Sequence, residues 1–402
     1  MKRPLNILHV IANLHSGGVQ HLLVKSLARL DKTAFHHHVC CVTEGGVYQA
    51  ELEAMGIPVW IMSRQGRFSP DLMRQMARLM RRQKIDLVHT LNFTANAWGR
   101  VAAILARVPR LIAHERGTAW TDNRMMRIVN RALYPFTDLM LANSEAARIV
   151  LRHHVGLPDS RLKVIYNGLP LPESHRPAVN LRHTLSIAAD VPLIGAVGRL
   201  DTPKGYPFLL QALPYIWQEM PAVQAVIIGT GPLAQPLRQL AADLGLLGTG
   251  RLHFMGYVPD ASAALPQIDL LLHPAVRESF GNVLVEAGFA AVPVVASSVD
   301  GCAEIIVHEE TGLLVDCTEA VEYLPAPGAS PLPEVVVDGR SRTLRPPLGP
   351  NPQTLAAHTV SLLRDSARRQ YLGEKARERT TRLFTLDRFV AELEAVYRRE
   401  GV

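Results

Sequence analysis

Apolar runs of strand length alternate with stretches of helix length along this chain, and they do so in two separate series. No other feature of the sequence constrains the fold as strongly. In the first series LNILHVIA (5–12), HHHVCCVT (36–43), DLVHTL (86–91), RLIAHE (110–115) and DLMLANS (138–144) read as strands. Between the first two, GGVQHLLVKSLARL reads as a helix. A strand apolar at nearly every position is covered on both faces, and its alternation with helices predicts parallel βαβ units. The turn-rich stretch YNGLPLPESHRPAVN (166–180) reads as a linker. A second series follows it: PLIGAVGRL (192–200), QAVIIGTG (224–231), RLHFMGY (251–257), DLLLHPA (269–275) and VPVVASS (292–298). The fold class expected is therefore α/β, with two facing Rossmann-like domains and ligands held in the cleft beyond the carboxyl ends of the strands. At 402 residues the chain is also too long for one ordinary core.

The expected boundaries are 1–173 for the first domain, 174–380 for the second, and 381–402 for a final amphipathic helix containing LDRFVAELEAVYRR. Residues 318–352 break the alternation, with eight prolines and no long helical run. They read as an insertion, within which EVVVDGRSRTLR places Asp-Gly between strand-like arms, a short hairpin signal. The beginning, MKRPLNILHVIANLHSGG, superficially resembles a signal peptide. Its apolar stretch is short, contains His9 and runs into a glycine turn, so it reads as a first strand and its loop. No run of about 18 apolar residues is present to span a membrane.

Charge is distributed unevenly. Residues 1–173 hold 23 Lys/Arg and 12 Asp/Glu, a net of +11, and the remainder holds 20 and 24, a net of −4. The first half favours an anionic partner. Two of its helical stretches, DLMRQMARLMRRQK (71–84) and NRMMRIVNRALYPF (123–136), mix Met, Leu, Ile and Phe with many Arg. They fit either an anionic membrane surface or apolar faces packed into the domain with Arg in water. Cys40, Cys41, Cys302 and Cys317 form no CxxC pair or disulfide framework and suit a reducing compartment. HHHVCC superficially resembles a metal site, but strand alternation splits its side chains between two faces and no ligand set completes it.

The segment ESFGNVLVEAGFAAVPVVAS (278–297) has no charge apart from Glu278 and Glu286. A helix starting near Asn282 would offer amides around Gly281–Val283 to an anion. Glu286 would lie one turn in, on the face of Asn282, and Glu278 on the loop before it. Carboxylates accept hydrogen bonds only, so sugar hydroxyls suit them as partners. In GRLDTPKG (198–205), Arg199 and Lys204 leave the carboxyl end of a strand, and two cations there suit a diphosphate. In HSGGVQ (15–20), Gly17 and Gly18 allow close approach of a ligand, or form a plain tight turn. This is not GxGxxG, which weighs against a dinucleotide. In AHERG (113–117), His114 ends a strand, where a lone histidine is more often structural.

Taken together, GGVQ, AHERG, GRLDTPKG, GTGP, HFMGYVPD and ESFGNVLVEA resemble, in order and spacing, the retaining glycosyltransferases of the GT-B group called family 4. The resemblance spans nearly the whole chain except 318–352. It implies a nucleotide-diphosphate-sugar donor held mainly by the second domain, and no metal or other cofactor. It gives His114 and Glu278 contacts with the donor sugar. Arg199, Lys204 and the amides near Asn282 and Val283 would take the diphosphate, and Gly17–Gly18 would approach the distal phosphate. Glu286 would take the ribose, and the backbone around Tyr257 and Val258 the base. The final helix would cross back to the first domain, which would take the acceptor. Relatives of this kind often act on lipid-linked intermediates of lipopolysaccharide or other cell-surface polysaccharide. The expected setting is the cytoplasm, with the anionic inner face of the cell membrane as a surface and no nucleic acid as partner. The competing readings are a nucleotide-sugar epimerase or sugar phosphorylase on the same fold, a non-catalytic nucleotide-sugar binding protein and, more remotely, an NAD dehydrogenase.

Overall fold

A computed structural model describes residues 3–62, 69–117, 123–172 and 180–399. The chain forms two compact units, one made of residues 1–170 and 385–402 and the other of 171–384. The expected boundary at 173 lies outside the described residues, as does most of the expected linker.

The first unit is a seven-stranded parallel sheet. Its strands are β1 (Leu5–Ile11), β2 (Phe35–Cys41), β3 (Val59–Ile61), β4 (Leu87–Leu91), β5 (Arg110–Glu115), β6 (Leu139–Ala142) and β7 (Leu162–Val164), in the order β3-β2-β1-β4-β5-β6-β7. The expected strands match five of these. The two that the sequence did not reveal, β3 and β7, are three-residue edge strands, too short to show a period. Strands β4, β5 and β6 are buried at every position, which is why they read as unbroken apolar runs.

The last helix, Leu386–Arg398, belongs to this unit. Leu386, Phe389, Val390, Leu393, Val396 and Tyr397 form its buried face and join one core with Ile7, Leu27, Leu87 and Ile112. Thr385 caps it, accepting from the amide of Arg388. The chain passes so close to its start that a Cβ on Gly168 would lie 2.4 Å from Cβ of Phe389, so only glycine fits there.

The second unit has six parallel strands, β8 (Leu193–Val197), β9 (Gln224–Ile228), β10 (Leu252–Gly256), β11 (Leu270–His273), β12 (Val294–Ser297) and β13 (Leu313–Val315), ordered β10-β9-β8-β11-β12-β13. The order reverses between β8 and β11. In such sheets ligands bind beyond the carboxyl ends of strands at that reversal.

Residues 318–352 are not a loose decoration. Val336–Val337 pairs antiparallel with Leu344–Arg345, so a hairpin forms, but six residues, 338–343, separate the arms rather than the Asp-Gly pair. The reason is local. Asp338 turns its carboxylate onto the amides of Arg340 and Ser341, at 3.1 and 2.9 Å, and an Asx-type loop replaces the tight turn.

Candidate functional site

The loops that leave β8 and β11 in the second unit carry the expected charged residues. After β8 the chain runs through Gly198 and Arg199 to a short turn, Thr202–Lys204. Gly205 ends that turn at φ +63°, and a Cβ there would strike the carbonyl of Pro274 at 1.9 Å. That contact presses Lys204 against the loop after β11. Glu278 lies on this second loop, and the helix Asn282–Phe289 follows it, entered through Gly281 at φ +105°.

Lys204 Nζ donates to Glu278 Oε2, and His273 Nε2 lies 2.9 Å from the same oxygen. The side chains of His273 and Glu278 are only 4% and 11% exposed, against 26% for Lys204, so the cluster is closed except on the lysine side. Burial by itself would raise the Glu278 carboxyl, but the Lys204 ammonium and the His273 ring outweigh it and hold it down at about 2. Burial pushes His273 below its usual range despite the neighbouring carboxylate.

Lys204, expected to bind phosphate, and Glu278, expected to bind hydroxyl groups, bond each other in this structure, as buried opposite charges do. Arg199 lies apart from them. Its side chain is 62% exposed and makes a 3.4 Å ion pair with Asp201. Asn282 and Val283 open the helix and are half-buried. Glu286 is half-buried one turn further in, its carboxyl pushed up to about 7 by burial and, secondarily, by the charge of Asp260. Tyr257 and Val258 follow β10, the tyrosine exposed and the valine buried.

In the first unit Gly17 precedes the helix Gly18–Arg29 with φ 178°, an extended conformation that any residue adopts. A Cβ there would meet only the flexible end of Gln20, at 2.6 Å, so backbone geometry does not require glycine at 17.

His114, expected to reach a donor sugar, is fully buried in this structure. Its ring stacks between His89, at 5.5 Å, and Phe389, at 6.4 Å, beneath the C-terminal helix. His9, His37 and His89 share this layer. His9 Nε2 is 3.1 Å from His37 Nδ1, and His89 Nδ1 is 2.7 Å from the hydroxyl of Tyr397. Neither nitrogen of His114 has a hydrogen-bond partner among the described residues. The HHHVCC side chains split as alternation predicts, with His36 exposed, His37 in this layer and His38 against Trp60, at 5.4 Å. Among the described residues no three His, Cys, Asp or Glu side chains are arranged to hold a metal ion.

Three residues of the second unit escaped the sequence reading: His273, Asp201 and Asp300. Asp300 accepts from the amides of Glu278, at 3.1 Å, and Val337, at 2.7 Å. His273 sits at the end of an apolar strand and Asp300 three residues past β12, so position beyond a parallel strand was the available signal.

The two Met–Arg helices part company. In Pro70–Arg82 the residues Leu72, Met76, Ala77, Leu79 and Met80 are buried, and the arginines face outward. In Arg124–Leu133 the only buried residue is Asn130, bonded to the buried Arg100. Met125, Ile128 and the following Phe136 are 66%, 51% and 58% exposed, and Ala132 between them is exposed too. Their spacing of three and four residues aligns them on one outward face.

Two parallel-sheet Rossmann-like units in one chain make up the GT-B fold. Anabaena HepE, solved in complex with UDP and glucose, shares it with a TM-score of 0.78 over 98% of this chain and 100% of its own, at 22% identity. Two family models match in sequence, Glycosyltransferase Family 4 over residues 16–172 and Glycosyl transferases group 1 over 191–325. The chain belongs to the family 4, group 1 glycosyltransferases. It is 36% identical over 165 residues to an uncharacterized glycosyltransferase of Methanocaldococcus jannaschii, covering 39% of this chain and 42% of that one. It is 26% identical over 263 residues to the Escherichia coli UDP-Gal:alpha-D-GlcNAc-diphosphoundecaprenol alpha-1,3-galactosyltransferase, covering 62% of this chain and 67% of that one.

Proposed function

We propose that this chain moves a sugar from a nucleotide-diphosphate-sugar to a saccharide or lipid-linked acceptor, with retention at the anomeric carbon, in the making of cell-surface polysaccharide or lipopolysaccharide. The observation that carries this reading is the Lys204–Glu278–His273 cluster at the strand-order reversal, with a helix start beside it. In this reading a donor diphosphate takes the Lys204 ammonium, the first-turn amides around Asn282 and Val283, and Arg199, which is exposed enough to swing. Glu278, released by the lysine, accepts from sugar hydroxyls while His273 still holds it. Glu286 accepts from the ribose, and the base lies along Tyr257 and Val258. Gly17 and Gly18 keep a phosphate contact as their proposed role.

The bond from the anomeric carbon to the diphosphate oxygen breaks as the bond to the acceptor oxygen forms. The acceptor's proton passes to a phosphate oxygen of the departing diphosphate. Charge grows on that diphosphate, and fixed cations and amides aimed at growing charge are usually the largest catalytic contribution. In this reading they take the role that a metal has elsewhere.

A lipid-linked acceptor is favoured by the outward face of Arg124–Leu133. Its exposed Met125 and Ile128, with Phe136 beyond, are flanked by Arg124, Arg127 and Arg131, and residues 123–136 include no acid. An apolar stripe edged by arginines fits an anionic bilayer surface. The E. coli relative, by its name, acts on a sugar carried by diphosphoundecaprenol. No helix among the described residues is long and apolar enough to cross a membrane.

A thermal-shift panel of UDP-, GDP-, ADP- and TDP-sugars tests the donor. A bound donor at about 100 times its dissociation constant adds roughly 2.7 kcal/mol of stability. Product analysis with donor alone and with lipid-linked saccharide then separates transfer from epimerisation, which needs no acceptor. No shift with any of the four would sink the proposal.

A further inference from the structure

The insertion 318–352 bonds directly to one loop of the candidate site and, through Asp300, is linked to the other. Ser330 gives its amide to Asp201 Oδ1 at 2.8 Å and its hydroxyl to Asp201 Oδ2 at 2.7 Å. Asp201 is 4% exposed and lies between Arg199 and Lys204, on the loop after β8. Further along, Val337 gives its amide to Asp300 Oδ1 at 2.7 Å, and its carbonyl accepts from the amide of Asp300 at 2.8 Å. The other carboxylate oxygen of Asp300 accepts from the amide of Glu278 at 3.1 Å, and the carbonyl of Glu278 accepts from Gly301 at 2.9 Å. One end of the insertion thus grips the loop of Arg199 and Lys204, and its hairpin grips Asp300, which in turn holds the backbone of Glu278.

The grip is rigid on the insertion's side. Val336 and Val337 are fully buried. Gly339 donates to the carbonyl of Ser298 at 3.1 Å, and Arg342 pairs with the buried Glu304 at 2.9 Å. Near its end, Gly349 lies against the ring of Phe208, in the first turn of the helix that follows Lys204. Asp300 holds a left-handed backbone, φ +44°, a conformation unusual for a residue other than glycine. An aspartate there is explained by its two amide partners.

We infer that the insertion is a positioning element of the donor site: through Asp201 and Asp300 it holds the Lys204 loop and the Glu278 loop at a fixed separation, so that the ammonium and the carboxylate meet a donor's diphosphate and sugar together. This rests on the donor-site reading above and adds a role for residues that the family resemblance leaves out. Asp201, Asp300, Ser330 and Val337 act through Lys204 and Glu278.

The test is calorimetric titration of the full chain with UDP-, GDP-, ADP- and TDP-sugars at a temperature well below every variant's melting point. Asp300→Ala, Ser330→Pro and the milder Ser330→Ala are compared with wild type. Loss of one or two buried hydrogen bonds to a charged group predicts dissociation constants weaker by about 10-fold for Asp300→Ala and Ser330→Pro. Ser330→Ala, which keeps the amide bond, should weaken binding by roughly 3-fold. Asp300→Asn, which keeps one acceptor, should recover part of the loss. Arg340→Ala breaks an exposed ion pair of the same hairpin with Asp316 and should bind as wild type does. A purely structural role would lower the melting temperature and leave the affinity of the folded protein intact. That result in Ser330→Ala and Asp300→Asn, with wild type binding a donor, overturns the inference and leaves the donor-site reading standing. Failure of wild type to bind any of the four overturns both.

Discussion

Beneath the C-terminal helix of the first unit, His9, His37, His89 and His114 are enclosed with few partners and no carboxylate among those that hold them. At the strand ends of the second unit, Glu278, Asp201 and Asp300 are equally enclosed, yet each is met by amides or cations. Burial drives the histidines down, His37 to about 4 and His89 to about 3, so the rings lie neutral in an apolar layer. Glu278 goes the other way from what burial asks, down to about 2, because Lys204 and His273 favour its charged form. The difference separates two uses of a buried ionisable group. One kept charged by specific partners near loops can act on a ligand, whereas one kept neutral in a core is packing.

The largest expected effect tests that division directly. Glu278→Gln or Lys204→Ala should lower the rate of sugar transfer by about 10²- to 10³-fold, as losing one preorganised group does. His114→Phe, which fills the same layer and deserts no hydrogen bond, should change the rate by less than about 3-fold and leave the melting temperature level or higher. Steady-state kinetics beside thermal melts decide it. A dead but stable His114→Phe breaks the comparison.

Acid should split the two units. The histidines have folded-state pKa values below the unfolded 6.5, so the unfolded chain takes up more protons as pH falls through 6.5. Stability of the first unit is then full above about pH 7 and is lost below 6.5, by about 2 kcal/mol at pH 5 for each ring that stays neutral. In the second unit Glu286 and Asp300 are raised to about 7 and about 6. At these two carboxyls the folded state holds the extra protons and gains stability as pH falls from 7 toward the unfolded values near 4, which offsets the loss from His273, whose pKa is lowered. Hydrogen exchange read at pH 7.5 and pH 5.5, corrected for intrinsic rates, should show protection falling in Leu386–Arg398 and not in Asn282–Phe289. Equal loss in both helices contradicts the contrast.

A smaller effect distinguishes the two Met–Arg helices. Ile128→Ser with Phe136→Ser should weaken sedimentation with phosphatidylglycerol vesicles by roughly 10-fold, at little cost in stability, because both side chains already face solvent. Met76→Ser, in the buried face of the other helix, should instead lower stability by about 2–4 kcal/mol. The smallest effect is local. Ser69→Ala removes the cap that accepts from the amide of Leu72 and should cost about 1 kcal/mol, read by chemical denaturation.

Much of the fold was legible because continuous apolar runs such as Leu87–Leu91 and Val294–Ser297 have one good destination, a strand covered on both sides. The placement of Lys204, Glu278 and Asn282 on strand-end loops was legible because charge and turn residues interrupt an apolar segment just after such strands. His114 also ends a strand, but the sequence does not say which face of β5 it takes or that Phe389 lies against it. Asp300 and Ser330 were invisible as partners of the site because their contacts join residues far apart in the chain.

Local chemistry, written in the order of residues, determined the two α/β units, their strands and the loops that carry charge. Tertiary structure alone decided which charges meet. It paired Lys204 with Glu278, enclosed four histidines beneath the last helix, turned Ile128 outward and Met76 inward, and tied the insertion to Asp201 and Asp300. Periodicity reports what a segment can bury, whereas the partner it is buried against depends on packing between distant segments.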